Sequence, residues 1–278
     1  MASVGDGKGR AIVVWVMRVL AVVLVVGIAL SATDSNQWWI RAWDFPRVQL
    51  LIAMLALAVA LWMMDRVSWR WLPIVLVGLS AWQVFRIFPY TPASPLSVEK
   101  IASNTSADAC FSVLSINVLQ KNREYDRTLA VIERVDPDIL LLMETDQAWA
   151  DAMAPAMARY EHTLLRPLDN TYGLMFATRL PMRDASIRDL AQKDTPSVFA
   201  TLTANGMDFS MVGLHPRPPV PGQDTEERDA ELIMAAKILR DRTMPAIAFG
   251  DFNDVAWSDT TRLFRQTGQM IDPRVGRG

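Results

Sequence analysis

The sequence predicts a two-part fold, a helical membrane anchor followed by an α/β domain. Three observations carry that reading: composition changes sharply near residue 90, three long apolar runs precede that point, and strand-like apolar runs alternate with amphipathic segments after it. Whole-chain averages hide the change. Over 278 residues the formal charge is −2 and 51% of residues are hydrophobic. Residues 1–90 hold eight Lys/Arg against four Asp/Glu, a net of +4, whereas residues 91–278 hold 20 against 26, a net of −6. Eight of the ten Trp also precede residue 91. The charged fraction of 21% is too high for a purely embedded bundle, and the apolar content excludes a disordered chain. One cysteine excludes an internal disulfide scaffold or a Cys-rich zinc module, and Cys110 alone is compatible with an oxidising compartment.

The first apolar run, Ala11 to Leu30, is interrupted only by Arg18; the second, Val48 to Met64, carries no charge; the third runs from Trp71 to about Phe88. Each meets or nearly meets the roughly 20 residues that a helix needs to cross a bilayer core. The expected spans are 11–30, 48–64 and 71–88. Trp38, Trp39, Trp43, Trp62, Trp69, Trp71 and Trp82 lie mostly near the run ends, as in an interfacial belt. Lys8 and Arg10 before the first run, with Ala29-Leu30-Ser31 after it, also fit a cleavable signal peptide, but two further spans would still anchor the chain. Arg18 is expected to snorkel, the alternative being that it faces another helix. Lys8, Arg10, Arg66 and Arg70 flank one side against Arg41 and Arg47 on the other, where Asp34 and Asp44 offset them. That bias places the N-terminus inside and the large C-terminal part outside, periplasmic or extracellular, in a multi-pass inner or plasma membrane protein. Pro89, Pro92, Pro95 and Ser103-Asn104-Thr105-Ser106 read as a linker. The expected division is therefore anchor 1–90, linker 91–108 and domain 109–278.

In that domain, Phe111 to Val118 reads as a strand, and Arg123 to Val135 as a helix with Leu129, Ile132 and Val135 on its apolar face. Pro137 breaks the helix before a strand at Ile139 to Glu144. Further strands are expected at 173–178, 197–203, 208–215 and 245–251. A helix over Thr225 to Asp241 has an acidic first turn and turns Leu232, Ala236 and Leu239 inward, and a short helix follows at Thr260 to Gln266. Polar residues then stand where strands end. Asn117 and Glu144 each close an apolar strand, His215 ends another before Pro216-Arg217-Pro218-Pro219, and Asp251 and Asn253 follow the last. On an extended backbone residues 251 and 253 share a face. Taken singly, Asp-x-Asn after a strand is more often a turn or cap, a terminal Glu is solvated, and His215 could satisfy a backbone carbonyl. Tyr172-Gly173 alone is an ordinary loop-to-strand step, and His162 beside Glu161 carries no functional signal. Four strand ends with compatible groups are another matter, since an α/β scaffold presents its site there. Asn, Glu and Asp supply hard oxygen ligands suited to magnesium or calcium, while two His and one Cys are too few for a typical zinc site.

In Ser115-Ile116-Asn117-Val118-Leu119, Pro137-Asp138-Ile139 through Met143-Glu144-Thr145, Tyr172-Gly173-Leu174, Gly213-Leu214-His215-Pro216 and Gly250-Asp251-Phe252-Asn253, the sequence resembles the endonuclease/exonuclease/phosphatase (DNase-I-like) superfamily. The three preceding spans make it most similar to the membrane-anchored branch related to teicoplanin-resistance proteins. The resemblance implies a four-layer α/β sandwich, two packed β-sheets flanked by helices, and a hydrolase of phosphate esters, either phosphodiesterase or phosphatase. It implies Mg²⁺ or Mn²⁺ held by Glu144 with Asn117 beside it. Asp251 would orient or deprotonate water, Asn253 would hold that water or the phosphate, and Asn117 would belong to the catalytic set. His215 would hydrogen-bond a phosphate oxygen, and Tyr172 would line the substrate with it.

The family pattern also implies a C-terminal strand ending in Asp-His. Ile271-Asp272-Pro273-Arg274 to Gly278 instead reads as a loop leading toward another strand, so the expectation is a sandwich lacking its last strand or strands. A tethered enzyme suits a lipid-linked or envelope phosphate ester, with the bilayer itself as a partner, and the −6 balance argues against nucleic acid. The competing expectations are a non-catalytic membrane-tethered binding module and an extracytoplasmic nuclease.

Overall fold

A computed structural model describes residues 4–65, 69–100 and 110–277. The expected linker stretch Ser103–Ser106, the domain start at Ala109 and Arg66 lie outside the described residues. The chain divides into two compact units. The first holds the residues up to Val98 with Val220–Asp224 and the segment from Pro273; the second holds Glu99–Pro219 and Thr225–Asp272.

The first unit is built on helices α1 (Val4–Ser31), α2 (Trp38–Arg41), α3 (Arg47–Met64) and α4 (Trp71–Ile87). Three stretches are long and apolar enough to cross a membrane: Lys8–Ser31, Arg47–Met64 and Trp71–Tyr90, with mean hydropathies of 2.8, 2.0 and 1.5. They coincide with the spans expected from the sequence. Ala21, Ile28, Met54, Ala58, Leu61, Leu72 and Leu76 pack between them, while Ile12, Trp15, Ile52, Val59, Ile74 and Phe85 face outward. An outward face this apolar is compatible with a lipid environment. Arg18 does not simply snorkel. Its Nε and Nη2 donate to the two carboxylate oxygens of Asp65, each at 2.7 Å, and its guanidinium lies over the Trp69 ring. Near the start of α3, buried Arg47 donates to Asp44 and Gln83, and buried Arg41 donates to the Thr33 carbonyl. Buried charge is thus matched by opposite charge. Asp224 bridges to Gln37, and the turn at 273–277 is bonded to the chain after α4, with Gly276 N–H donating to Pro89 O at 2.8 Å.

The second unit has two four-stranded sheets. One contains β1 (Val113–Asn117), β2 (Ile139–Met143), β3 (His162–Arg166) and β4 (Leu174–Thr178) in the order β1-β2-β4-β3. The other contains β5 (Met182–Asp189), β6 (Pro196–Ala204), β7 (Met207–Leu214) and β8 (Ala246–Gly250) in chain order. The pairs β1–β2 and β7–β8 are parallel and the rest antiparallel. Each parallel pair needs a crossover helix, α5 (Tyr125–Val135) for the first and α7 (Glu226–Arg240) for the second. Helices α6 (Gln147–Met157) and α8 (Asp259–Gly268) complete the set.

Side-chain parity makes the layers. Odd residues Ile139, Leu141 and Met143 of β2 meet Val198, Ala200 and Met211 of the other sheet. Even residues Leu140 and Leu142 face Ile132 of α5 and Trp149 and Met153 of α6. Val212 and Leu214 face Leu232 and Ala236 of α7 and Phe264 of α8. A strand buried on both faces must be apolar throughout, which is why β2 reads Ile-Leu-Leu-Leu-Met. This is the four-layer sandwich. Val135, expected on the inner face of α5, is exposed because the helix ends there in a left-handed Asp136.

Glu231 of α7 is 1% exposed and accepts from Ser197 Oγ at 2.7 Å. Burial, with help from the Asp189 charge, pushes its carboxyl up to about 7, against the lowering pull of Ser197 and Arg217. The folded state therefore keeps a proton that the unfolded chain gives up near 4.5, so stability falls as pH rises from there through about 7. Replacing Glu231→Gln should remove about 2–3 kcal/mol of that pH-dependent loss. Denaturant unfolding of the detergent-solubilised chain at pH 5.5 and 8 checks this: equal pH dependence in the two proteins would refute it.

Candidate active site

The carboxyl ends of both parallel pairs carry the polar residues. In the register of β1 and β2, Asn117 is level with Met143, so Asn117 and Glu144 emerge side by side. In that of β7 and β8, Leu214 is level with Gly250, so His215 and Asp251 do the same. Three of these side chains meet directly. Asn117 Nδ2 donates to Glu144 Oε1 at 2.7 Å and to Asp251 Oδ2 at 3.1 Å. His215 Nε2 lies 4.0 Å from the same Glu144 oxygen. One amide thus separates two carboxylates that would otherwise repel, and the arrangement draws on both sheets.

Local backbone fixes each group. Glu144 has φ 62°, a left-handed conformation forced where β2 ends. It is held by Thr145 N–H donating to Gly173 O at 3.0 Å and by Gln120 N–H donating to Glu144 Oε2 at 3.3 Å. Gly173 is dictated by space, since a Cβ there would stand 1.9 Å from the Thr145 carbonyl oxygen. Gly250 has φ 132° and turns the chain so that Asp251 leaves β8 toward the site. Asn117 Oδ1 in turn accepts from Leu119 N–H at 3.0 Å.

Asp251 and Asn253 do not share an extended segment as the sequence suggested. Asn253 is left-handed at φ 48°, and its N–H donates to Asp251 Oδ1 at 2.9 Å, which closes a small side-chain turn. The amide of Asn253 donates to Pro216 O at 2.9 Å, tying the β8 end to the chain that follows His215. Behind it lies a charged pair that sequence reasoning missed. Arg228 of α7 donates to Asn253 O at 3.1 Å and lies 3.6 Å from Asp254, both side chains being buried. Burial raises the Asp254 carboxyl above its usual range, and Arg228 pulls it back. Gln120 was also missed: besides holding Glu144, its Oε1 accepts from Thr171 N–H at 2.6 Å. Neither residue ends an apolar strand, which was the signal used to find the others.

His215 is 2% exposed, and neither of its ring nitrogens has a hydrogen-bond partner among the described residues. The reading in which it satisfies a backbone carbonyl is therefore excluded. Burial lowers its pKa, opposed by the charges of Asp251 and Glu144. The Tyr172 ring centroid is 5.7 Å from that of His215, which brings the expected substrate-lining pair together. His162 pairs with Thr178, which is level with Ile139, so it lies at the opposite end of β2's sheet from Glu144.

The donors fit a hard divalent ion. Glu144 and Asp251 present carboxylate oxygens at one point, with the Asn117 amide nitrogen between them and its Oδ1 turned to Leu119 N–H, while no group of three or more His, Cys, Asp or Glu among the described residues is placed to hold a metal. Few protein ligands suit Mg²⁺, which keeps waters and takes substrate phosphates, better than Zn²⁺, which wants a closed nitrogen or sulfur set.

A family model described as Endonuclease/Exonuclease/phosphatase family matches residues 114–277. No curated protein sequence matches the chain. Among solved structures, D. rerio TDP2 complexed with single strand DNA product is similar at 18% identity and a TM-score of 0.46, over 53% of this chain and 62% of that one. Sphingomyelinase C from Streptomyces griseocarneus is similar at 15% identity and 0.47, over 58% and 70%. Staphylococcus aureus beta toxin with bound magnesium ions is similar at 13% identity and 0.47, over 58% and 71%. The chain spans a little under two thirds of the length of the D. rerio TDP2 it matches.

Arg228→Met should strand the buried Asp254 carboxylate and cost about 3 kcal/mol of stability. Adding Asp254→Asn should recover part of that loss. Urea unfolding of the three proteins measures both numbers, and a single variant as stable as the parent would remove Arg228 from the support of Asn253.

Proposed function

Because the chain belongs to the endonuclease/exonuclease/phosphatase family, we propose that it is a membrane-anchored, Mg²⁺-dependent hydrolase of phosphate esters. The observation that carries this reading is the meeting of Asn117, Glu144 and Asp251 beside a buried His215 whose ring nitrogens have no protein partner. Glu144 would hold the ion with Asn117 beside it, the Asn117 amide turning its oxygen from Leu119 N–H to reach the metal, and Mn²⁺ would be an acceptable substitute. The chemistry such an ion supplies when bound is Lewis-acid polarisation of a phosphoryl oxygen. The side chains do the rest. Asp251 orients a water and takes its proton as the oxygen attacks phosphorus. His215, kept largely neutral by burial, donates an N–H to a phosphate oxygen. Asn253 shapes the turn that aims Asp251, and Tyr172 lines the substrate next to His215. The ester P–O bond opposite the water then breaks, and the leaving oxygen keeps the electron pair and takes a proton from solvent to give the alcohol.

Three apolar helices in the same chain favour a lipid-linked or envelope phosphate ester, and the acidic balance of residues 91–278 speaks against a nucleic-acid substrate. The charge bias around the spans supports a multi-pass plasma-membrane protein whose C-terminal part lies outside the cytoplasm. The motif resemblance to the membrane-anchored branch points the same way.

Purified in detergent with Mg²⁺, the chain should hydrolyse bis(p-nitrophenyl) phosphate and lose that activity in EDTA. Glu144→Ala should lower the rate by roughly 10²–10³ while leaving the melting temperature close to that of the parent. Undiminished hydrolysis by the folded variant would overturn the metal assignment, and cleavage of DNA in preference to lipid phosphates would overturn the substrate class.

A further inference from the structure

The loop after His215 carries a cation that the hydrolytic scheme above leaves unused. Arg217 stands between Pro216 and Pro218, so the backbone on both sides of it is restricted before any ligand arrives. Its Nε donates to the buried Thr195 Oγ1 at 3.0 Å and its Nη2 to Lys193 O at 3.3 Å. The guanidinium lies over the Tyr172 ring with its carbon 4.9 Å from the centroid, and that ring is the one beside His215. Three contacts therefore fix a long, otherwise mobile side chain, while Nη1, with two N–H donors, has no partner among the described residues. A guanidinium anchored along one edge and open along the other is suited to an oxyanion, which it can meet with two parallel N–H bonds.

We propose that Arg217 is the substrate-recognition residue that receives a second phosphate, next to the one attacked, so that the preferred substrate is an organic diphosphate. The choice of substrate rests on the hydrolase reading; the anion site itself does not. The reaction balances simply. Water attacks one phosphorus and passes its proton to Asp251, and the bridging P–O bond breaks. The other phosphate leaves with the bridging oxygen and its electron pair. Such a leaving group departs as a weakly basic anion, so a fixed cation suits it better than a proton donor. Tyr172 aligns the guanidinium and gives the two phosphates a common wall.

The test measures binding of inorganic pyrophosphate and of orthophosphate to the full-length, detergent-solubilised chain by calorimetry at constant Mg²⁺. The parent should bind pyrophosphate more tightly. Arg217→Ala should weaken pyrophosphate roughly tenfold to a hundredfold and orthophosphate no more than about threefold. Arg217→Lys, which keeps the charge without the fork and is the fallback should the alanine variant not fold, should lie between. Equal weakening of both anions, or none, overturns the proposal. Phosphate release by the parent from farnesyl diphosphate and from a nucleoside diphosphate is followed in parallel. Release from either supports a diphosphate substrate and identifies its source. The discriminating binding pattern without release keeps the anion site and overturns the diphosphate substrate; the hydrolase reading falls only if bis(p-nitrophenyl) phosphate is not cleaved either.

Discussion

The site depends on one side-chain amide. Asn117 Nδ2 bridges Glu144, at the end of one sheet, and Asp251, at the end of the other. A neutral donor thus stands between two carboxylates of like charge and hydrogen-bonds to both. Everything around it serves this contact: Leu119 N–H orients the Asn117 amide, Gln120 N–H holds Glu144, and the Asn253 turn holds Asp251.

The backbone is strained where this support is densest. Leu119, Glu144, Thr171 and Asn253 all have positive φ, between 48° and 69°, although none is a glycine. Left-handed residues of this kind cost about 1 kcal/mol or more each and persist only where their surroundings over-determine them. Here the surroundings do. Gln120 alone contacts two of the strained segments, with its N–H on Glu144 and its side-chain oxygen on Thr171. The helical first unit follows the same logic with charge in place of strain, since Arg18 is matched to Asp65 and Arg47 to Asp44.

Much of this was legible in the sequence, and the reasons divide cleanly. The spans, the doubly buried strands β2 and β4 and the helix α7 declare themselves through long or strictly periodic apolar patterns. The residues at strand ends declare themselves because a polar group closing an apolar run is conspicuous. Elements without such contrast were not found. Helix α6 is alanine-rich and contains Pro155, which reads as a breaker. Strand β3 is five residues with a half-buried, half-exposed face, and β5 is an edge strand, polar and bulged between Arg183 and Ser186. Arg228 and Gln120 act through packing between segments distant in the chain, and no local pattern records that. The extended reading of Asp251 and Asn253 failed for the opposite reason: an Asx turn, the commoner local outcome, prevailed.

The two parallel strand pairs have a consequence for folding order. Strands β3 and β4, and likewise β5, β6 and β7, join neighbours in sequence through antiparallel connections, which close short loops at small entropic cost. Strands β1 and β8, which deliver Asn117 and Asp251, are paired within the described sheets only through crossovers that span α5 and α7. Such non-local pairings form slowly and gain little until their neighbours are in place. The candidate site is therefore built on non-local pairings, and a chain that has not yet formed them holds its carboxylates apart.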